Sequence, residues 1–214
     1  MIINRALRQL RKRRNARRGP TPAPEEINAA SAGPEDLPAP VMATPDARTP
    51  PGPEQPFALP FEIRPADHAD LAGLAPIFSA AILRQAGNDY TEAQLRAWAS
   101  SAGNAEGFIR QLSDGITILA ADHGQPVAFA QLAPADTLAM LYVHPEATSR
   151  GIATLLCQYL EDEARISGSD SLTTRASLGA RRFFESLGFC EKDRETVERD
   201  GVAIERVVMV KKLK

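Results

Sequence analysis

From about residue 61 onward, hydrophobic and polar positions recur in patterns that predict regular elements. Phe61-Glu62-Ile63-Arg64 alternates with the two-residue period of a strand. Asp67 opens a helix, with Asp70 three residues on in a capping-box arrangement. Leu71, Leu74, Ala75, Phe78, Ala81 and Ile82 then line one face at spacings of three and four. A second helix begins at Thr91, with Gln94 in the reciprocal capping position, and carries Leu95 and Trp98. Residues 116–121 and 127–132 read as strands joined by the hairpin loop 122–126, and 137–143 as a third. An amphipathic helix comes next over 151–167, its apolar face formed by Ile152, Leu155, Leu156, Tyr159 and Leu160. Glu161, Asp162 and Glu163 are expected on its solvated face, and Gly168 is expected to stop it. Residues 171–176 form a short strand. Ser177 is placed to cap a helix that ends at Leu187-Gly188. The chain closes on a hairpin, 190–199 and 202–211, around Asp200-Gly201. The order β-α-α-β-β-β-α-β-α-β-β predicts an α/β fold: a mixed central sheet with helices on both faces.

The first 60 of the 214 residues have a different character. Residues 1–18 hold eight of the 25 basic residues and none of the 27 acids, so the remaining chain carries 17 bases against 27 acids. Residues 19–60 contain 12 of the 17 prolines among alanines and small polar residues. Proline removes backbone donors and holds its predecessor extended. Few large apolar side chains are present to offset the entropy of ordering. The stretch is therefore expected to be a disordered linker, ahead of a domain spanning 61–214. The basic arm admits several readings: a solvated disordered terminus, which a start at Met42 would omit; a phosphate contact with nucleic acid or a ribosome; an anionic membrane surface; or an organelle-targeting segment.

No apolar run reaches the length of a membrane-spanning helix, and residues 1–5 lack the apolar core of a secretory signal. Cys157 and Cys190 have no metal-ligand spacing and are too few for a disulfide framework. A reduced, cytoplasmic setting is the expectation. His68, His123 and His144 lie apart in the sequence and form no metal set.

The chemically informative segment is residues 140–156. An apolar strand ends at Val143, a short loop comes after it, and Arg150-Gly151-Ile152-Ala153 opens a helix. The first turn of a helix offers unpaired N–H groups and a partial positive charge, so it can hold an anion. Gly151 and Ala153 keep bulk away from such an anion, while Ser149, Arg150 and Thr154 add donors. The segment lacks the Lys-Ser/Thr ending of a nucleotide P-loop and the spacing of a dinucleotide fingerprint.

Two motifs carry a resemblance. Leu141-Tyr142-Val143-His144-Pro145 with Arg150-Gly151-Ile152-Ala153 resembles the acetyl-CoA motif of the GCN5-related N-acetyltransferase superfamily. Residues 180–189, Ala-Arg-Arg-Phe-Phe-Glu-Ser-Leu-Gly-Phe, resemble its second signature helix. The resemblance implies acetyl-CoA as co-substrate, no metal, and an acetyl group passed to an amine acceptor, either a small molecule or a protein. It implies cofactor contacts from Leu141, Tyr142, Val143, Ser149, Arg150, Gly151, Ile152, Ala153, Thr154 and Phe184. The amine would attack the thioester directly, with Tyr142 and Ser177 as candidate catalytic residues and Tyr90 and Trp98 as candidate acceptor contacts. Glu92, Asp122 and Glu185 are further candidates for a base. A homodimer through the C-terminal strands is also implied. Two positions depart from the family pattern. Thr148 stands where Gln or Arg is usual, and Phe184 where a tyrosine often protonates the leaving thiolate. The second departure leaves open an alternative, a catalytically weak acyl-CoA-binding sensor or interaction module.

Overall fold

A computed structural model describes residues 61–85 and 89–213. The basic arm and the linker expected over 1–60 lie outside the described residues. Among the described residues, seven strands form one sheet in the order β1-β2-β3-β4-β5-β7-β6. They are β1 (Glu62–Pro65), β2 (Ile116–Asp122), β3 (Gln125–Leu132), β4 (Thr137–Val143), β5 (Ser171–Ala176), β6 (Cys190–Arg199) and β7 (Val202–Lys212). Every neighbouring pair is antiparallel except β4–β5, which is parallel. A parallel neighbour needs a crossover, and α5 (Ile152–Ile166) supplies it.

The helices before β2 are α1 (His68–Leu71), α2 (Leu74–Gln85), α3 (Glu92–Ala99) and α4 (Ala105–Ser113). Their apolar faces bury Leu74, Phe78, Ile82, Leu95, Phe108 and Leu112 against Leu119, Phe129, Met140 and Ile204 of the sheet. α5 packs along β3 and β4, burying Ile152, Leu156, Tyr159 and Leu160. The sheet is mixed and has helices on both faces, as the order of elements predicts.

Several elements differ from the sequence reading. The helix expected to run on from Asp67 breaks after Leu71. Pro76 lacks an N–H, and its ring would strike the carbonyl of Ala72 in a continuous helix. The helix therefore restarts at Leu74, where Pro76 falls in a first turn that needs no donor. Helix α4 was not expected; Asn104 Oδ1 caps it by accepting from Gly107 N at 3.0 Å. The loop 122–126 contracts to a two-residue turn at His123-Gly124, both with positive φ, as at Asp200-Gly201. The final helix, α6 (Arg181–Ser186), starts later than expected. Ser177 Oγ does not cap it; it accepts from Ala180 N at 3.2 Å in the preceding turn. Glu161 and Glu163 are not solvated: they are 5 % and 3 % exposed. Lys211 Nζ reaches across from β7 to Glu161 at 2.6 Å, and Arg165 bonds its other oxygen. A buried carboxylate is tolerable only with such partners.

Candidate functional site

β4 and β5 pair only at Thr137↔Thr173 and Leu138↔Thr174. Opposite β3, Leu138 faces Leu132 and Met140 faces Gln131, so Ala139 is an extra residue in β4. Such a bulge bends its strand and turns the residues beyond it in a new direction. The two strands separate at this point. The gap opens into a cleft of about 580 Å³. One wall is Leu141, Tyr142 and Val143 of β4, and another is Ser149, Gly151, Ile152, Ala153 and Thr154. Ala176, Ser177, Phe183, Phe184 and Trp98 also line the cleft.

The second wall is the start of α5. Gly151 occupies its N-cap with φ +75°, a region where a Cβ is strained. Ser149, with φ +61°, also turns left-handed. Asp67, Thr91 and Asn104 cap α1, α3 and α4 with side chains, whereas none among the described residues caps α5. Thr148 is turned away, its hydroxyl donating to Pro145 O at 2.9 Å. A Cβ built on Gly151 would meet no atom of the described residues within 4 Å. The amides and positive dipole end of a 15-residue helix thus face an open, small-residue cradle.

Arg150 does not add a cation to this wall. Its guanidinium donates to Asp122 Oδ2 at 2.7 Å and lies 5.9 Å from the Phe61 ring centroid. That hydrogen bond lowers the Asp122 pKa.

The model matching residues 86–213, more than half of the chain, is that of the acetyltransferase (GNAT) domain. The chain belongs to the acetyltransferase (GNAT) family. It is 31 % identical over 141 residues to the uncharacterised N-acetyltransferase YafP of Escherichia coli (strain K12), covering 66 % of this chain and 89 % of that one. A crystal structure described as the GCN5-related N-acetyltransferase, aminotransferase class-II, from Rhodopseudomonas palustris is 39 % identical. It covers 70 % of this chain and 94 % of its own, with a TM-score of 0.69. The PaiA N-acetyltransferase of Thermoplasma acidophilum, solved in complex with coenzyme A, shares the fold. It has 20 % identity, 71 % and 98 % coverage and a TM-score of 0.57.

Within this GNAT domain the candidate side chains divide into those at the cleft and those elsewhere. Tyr142 is at the cleft, packed against Phe78 and Phe129 at centroid distances of 4.7 and 5.6 Å. Burial pushes its phenol up to about 12, against an opposing hydrogen bond from Trp98, so it stays protonated at neutral pH. Phe184 lines the cleft, 5 % exposed, and packs on Phe183 and Phe189. Trp98 lines it, but Tyr90, the other expected acceptor contact, does not. The Tyr90 hydroxyl donates to Glu205 O at 2.8 Å and accepts from Leu178 N at 3.0 Å, and its ring meets Trp98 edge-on at 5.5 Å. It therefore braces the wall behind Trp98.

The three carboxylates considered as bases lie outside the wall and are paired: Glu92 with Arg96, Asp122 with Arg150, Glu185 with Arg181. The described lining holds no Asp, Glu or His. Cys157 is buried, and burial pushes its thiol up to about 12. His144 Nδ1 accepts from Glu146 N at the 3₁₀ turn Pro145–Ala147. Among the described residues no group of three His, Cys, Asp or Glu could hold a metal ion, and no helix is long and apolar enough to cross a membrane. Two cleft neighbours escaped the sequence reading. Arg175 lines the wall from β5. Asp89 stands against Gly179, where a Cβ would lie 2.6 Å from its Oδ2. Neither belongs to a motif; each arrives through pairing between distant segments.

Proposed function

We propose that the cleft binds acetyl-CoA and that the protein acetylates an amine by direct attack on the thioester. The observation that supports this most is the coincidence, in one cleft, of a strand freed from its neighbour and an uncapped helix start. The freed edge of β4 offers backbone groups to an extended amide-bearing arm, as a strand would. The amides at Ile152, Ala153 and Thr154, with the hydroxyls of Ser149 and Thr154, suit a pyrophosphate. Acetyl-CoA supplies an activated acyl carbon with a thiolate leaving group. The coenzyme A complex of a relative with the same fold fits this reading.

The amine nitrogen bonds to the acetyl carbon, the C–S bond breaks, and the N–H proton passes to water. β4 amides beside the bulge polarise the carbonyl. Tyr142, kept neutral, orients the amine or donates to the departing sulfur, and Ser177 Oγ is a second hydroxyl on the same cleft. Phe184 cannot donate a proton, but a thiol with a pKa of about 8.5 leaves adequately without one at neutral pH. The buried, protonated thiol of Cys157 argues against a covalent acyl-cysteine route.

Phe184 also favours a second reading, a catalytically weak acyl-CoA-binding module. Calorimetric titration of acetyl-CoA into the full chain, then thiol release over an amine panel, separates the two. Binding with turnover supports transfer, binding without turnover supports the module, and no binding removes both.

A further inference from the structure

On the side of the sheet facing Tyr142 and Trp98, two guanidinium groups share one carboxylate. Arg175 lines the cleft and pairs with Glu195 at 3.1 Å. Arg206 stands opposite Glu195 in the β6–β7 register and bonds the same carboxylate. The register sets all three on one face, because Arg175 is opposite Val208, two residues from Arg206. One carboxylate therefore serves two guanidinium groups. Among the described residues, the buried Arg206 Nε has no hydrogen-bond partner. Arg206 follows Glu205, whose carbonyl accepts from the Tyr90 hydroxyl at 2.8 Å, and the Tyr90 ring meets Trp98 edge-on, so the Arg206 backbone passes beside the Tyr90–Trp98 pair. Of the nearby acids, Glu205 is held by Arg194, and Asp89 stands against Gly179.

A buried N–H without a partner is costly unless function uses it. A guanidinium is shaped to hold a planar two-oxygen anion. We propose that the acceptor is a small amine that also bears a carboxylate, docked at Arg175, whose partner Glu195 is shared with Arg206, and with its amine against Tyr142 and Trp98; this rests on the acetyl-transfer reading above. The carboxylate takes no part in bond making. It fixes the register of the amine nitrogen against the acetyl carbon, and Asp89 is placed to meet an ammonium group before it loses its proton.

The test is thiol release from acetyl-CoA by the full chain, using pairs of amines that differ only in the carboxylate: phenylalanine and phenethylamine, leucine and isopentylamine. The carboxylate-bearing member is expected to have a kcat/KM about 10- to 100-fold higher, the worth of one hydrogen bond to a charged group. Arg206→Gln is expected to collapse that ratio to about 1–2, chiefly through KM, with acetyl-CoA binding by calorimetry reporting that the variant is folded. Equal rates for the two members in the wild type overturn the proposal, and that arm needs no variant. A ratio unchanged in a folded Arg206→Gln also overturns it. Turnover of none of these amines by protein that binds acetyl-CoA overturns it while leaving the cofactor site standing. Failure to bind acetyl-CoA overturns the proposed function itself.

Discussion

Substituting Gly151 by asparagine separates the two roles the structure gives this residue. Its φ of +75° costs most L-residues about 1–2 kcal/mol, but asparagine tolerates the left-handed region best of them. Among the described residues the site adds no packing cost, since a Cβ there meets none of their atoms within 4 Å. The Tm of Gly151→Asn should therefore fall by no more than about 4 °C, from a loss below about 1 kcal/mol in a domain of this size. Gly151→Val, β-branched, should fall further. The added side chain stands in the cradle at the start of α5, where a phosphate would take backbone amides. Losing one charge-assisted hydrogen bond is worth about 1.5–3 kcal/mol, or about 10- to 150-fold in Kd. Calorimetry with acetyl-CoA and a thermal melt of the same sample read both numbers. Acetyl-CoA affinity within about twofold of wild type in a folded Gly151→Asn would refute the assignment of the pyrophosphate to this turn.

Three other outcomes are expected. Phe184→Tyr should change kcat by less than about tenfold, because a thiolate of this pKa departs unaided; a gain of about 100-fold would show that thiolate protonation limits the natural protein. The pH profile of kcat/KM should follow the ionisation of the free amine and move when amines of different pKa are compared, since Tyr142 sits at about 12 and the described wall has no carboxylate or imidazole. A limb fixed at about pH 6–7 for every amine would instead reveal a protein base. Asp70 is held at about 2 by its hydrogen bonds to Arg64 and lies mostly buried. Its folded pKa is below the unfolded one, so the stabilisation is complete above about pH 4 and is lost as pH falls toward 2. Urea unfolding should show Asp70→Asn less stable than wild type by about 2 kcal/mol at pH 6, with the gap closing by about pH 2; a pH-independent gap would contradict this.

The strands, the main helices and the cradle are legible in the sequence because each has a local cause. Gly151, Ala153 and the apolar face of α5 follow from spacing alone, and the capping boxes at Asp67 and Thr91 mark helix starts. Helix α4 is hidden because Gly107 interrupts it and the small, polar run before Asn104 reads as loop. The bulge at Ala139 and the divergence of β4 from β5 leave no mark in composition, though they create the cleft. Arg150 looks like a ligand to the cradle until Asp122, 28 residues earlier, takes its guanidinium. Glu161 looks solvated because its partner, Lys211, is on another strand 50 residues away. Pairings across that distance decide which polar groups face the cleft, and periodicity carries no information about them.

Acetyl-CoA binding at the β4–α5 cleft is tested most directly by a crystal structure of the full chain with acetyl-CoA. The pyrophosphate is expected at about 3 Å from the amides of Ile152, Ala153 and Thr154, with the thioester between β4 and β5 beside Tyr142 and Phe184. Acetyl-CoA bound anywhere else, or a cleft left empty at saturating acetyl-CoA, would contradict it.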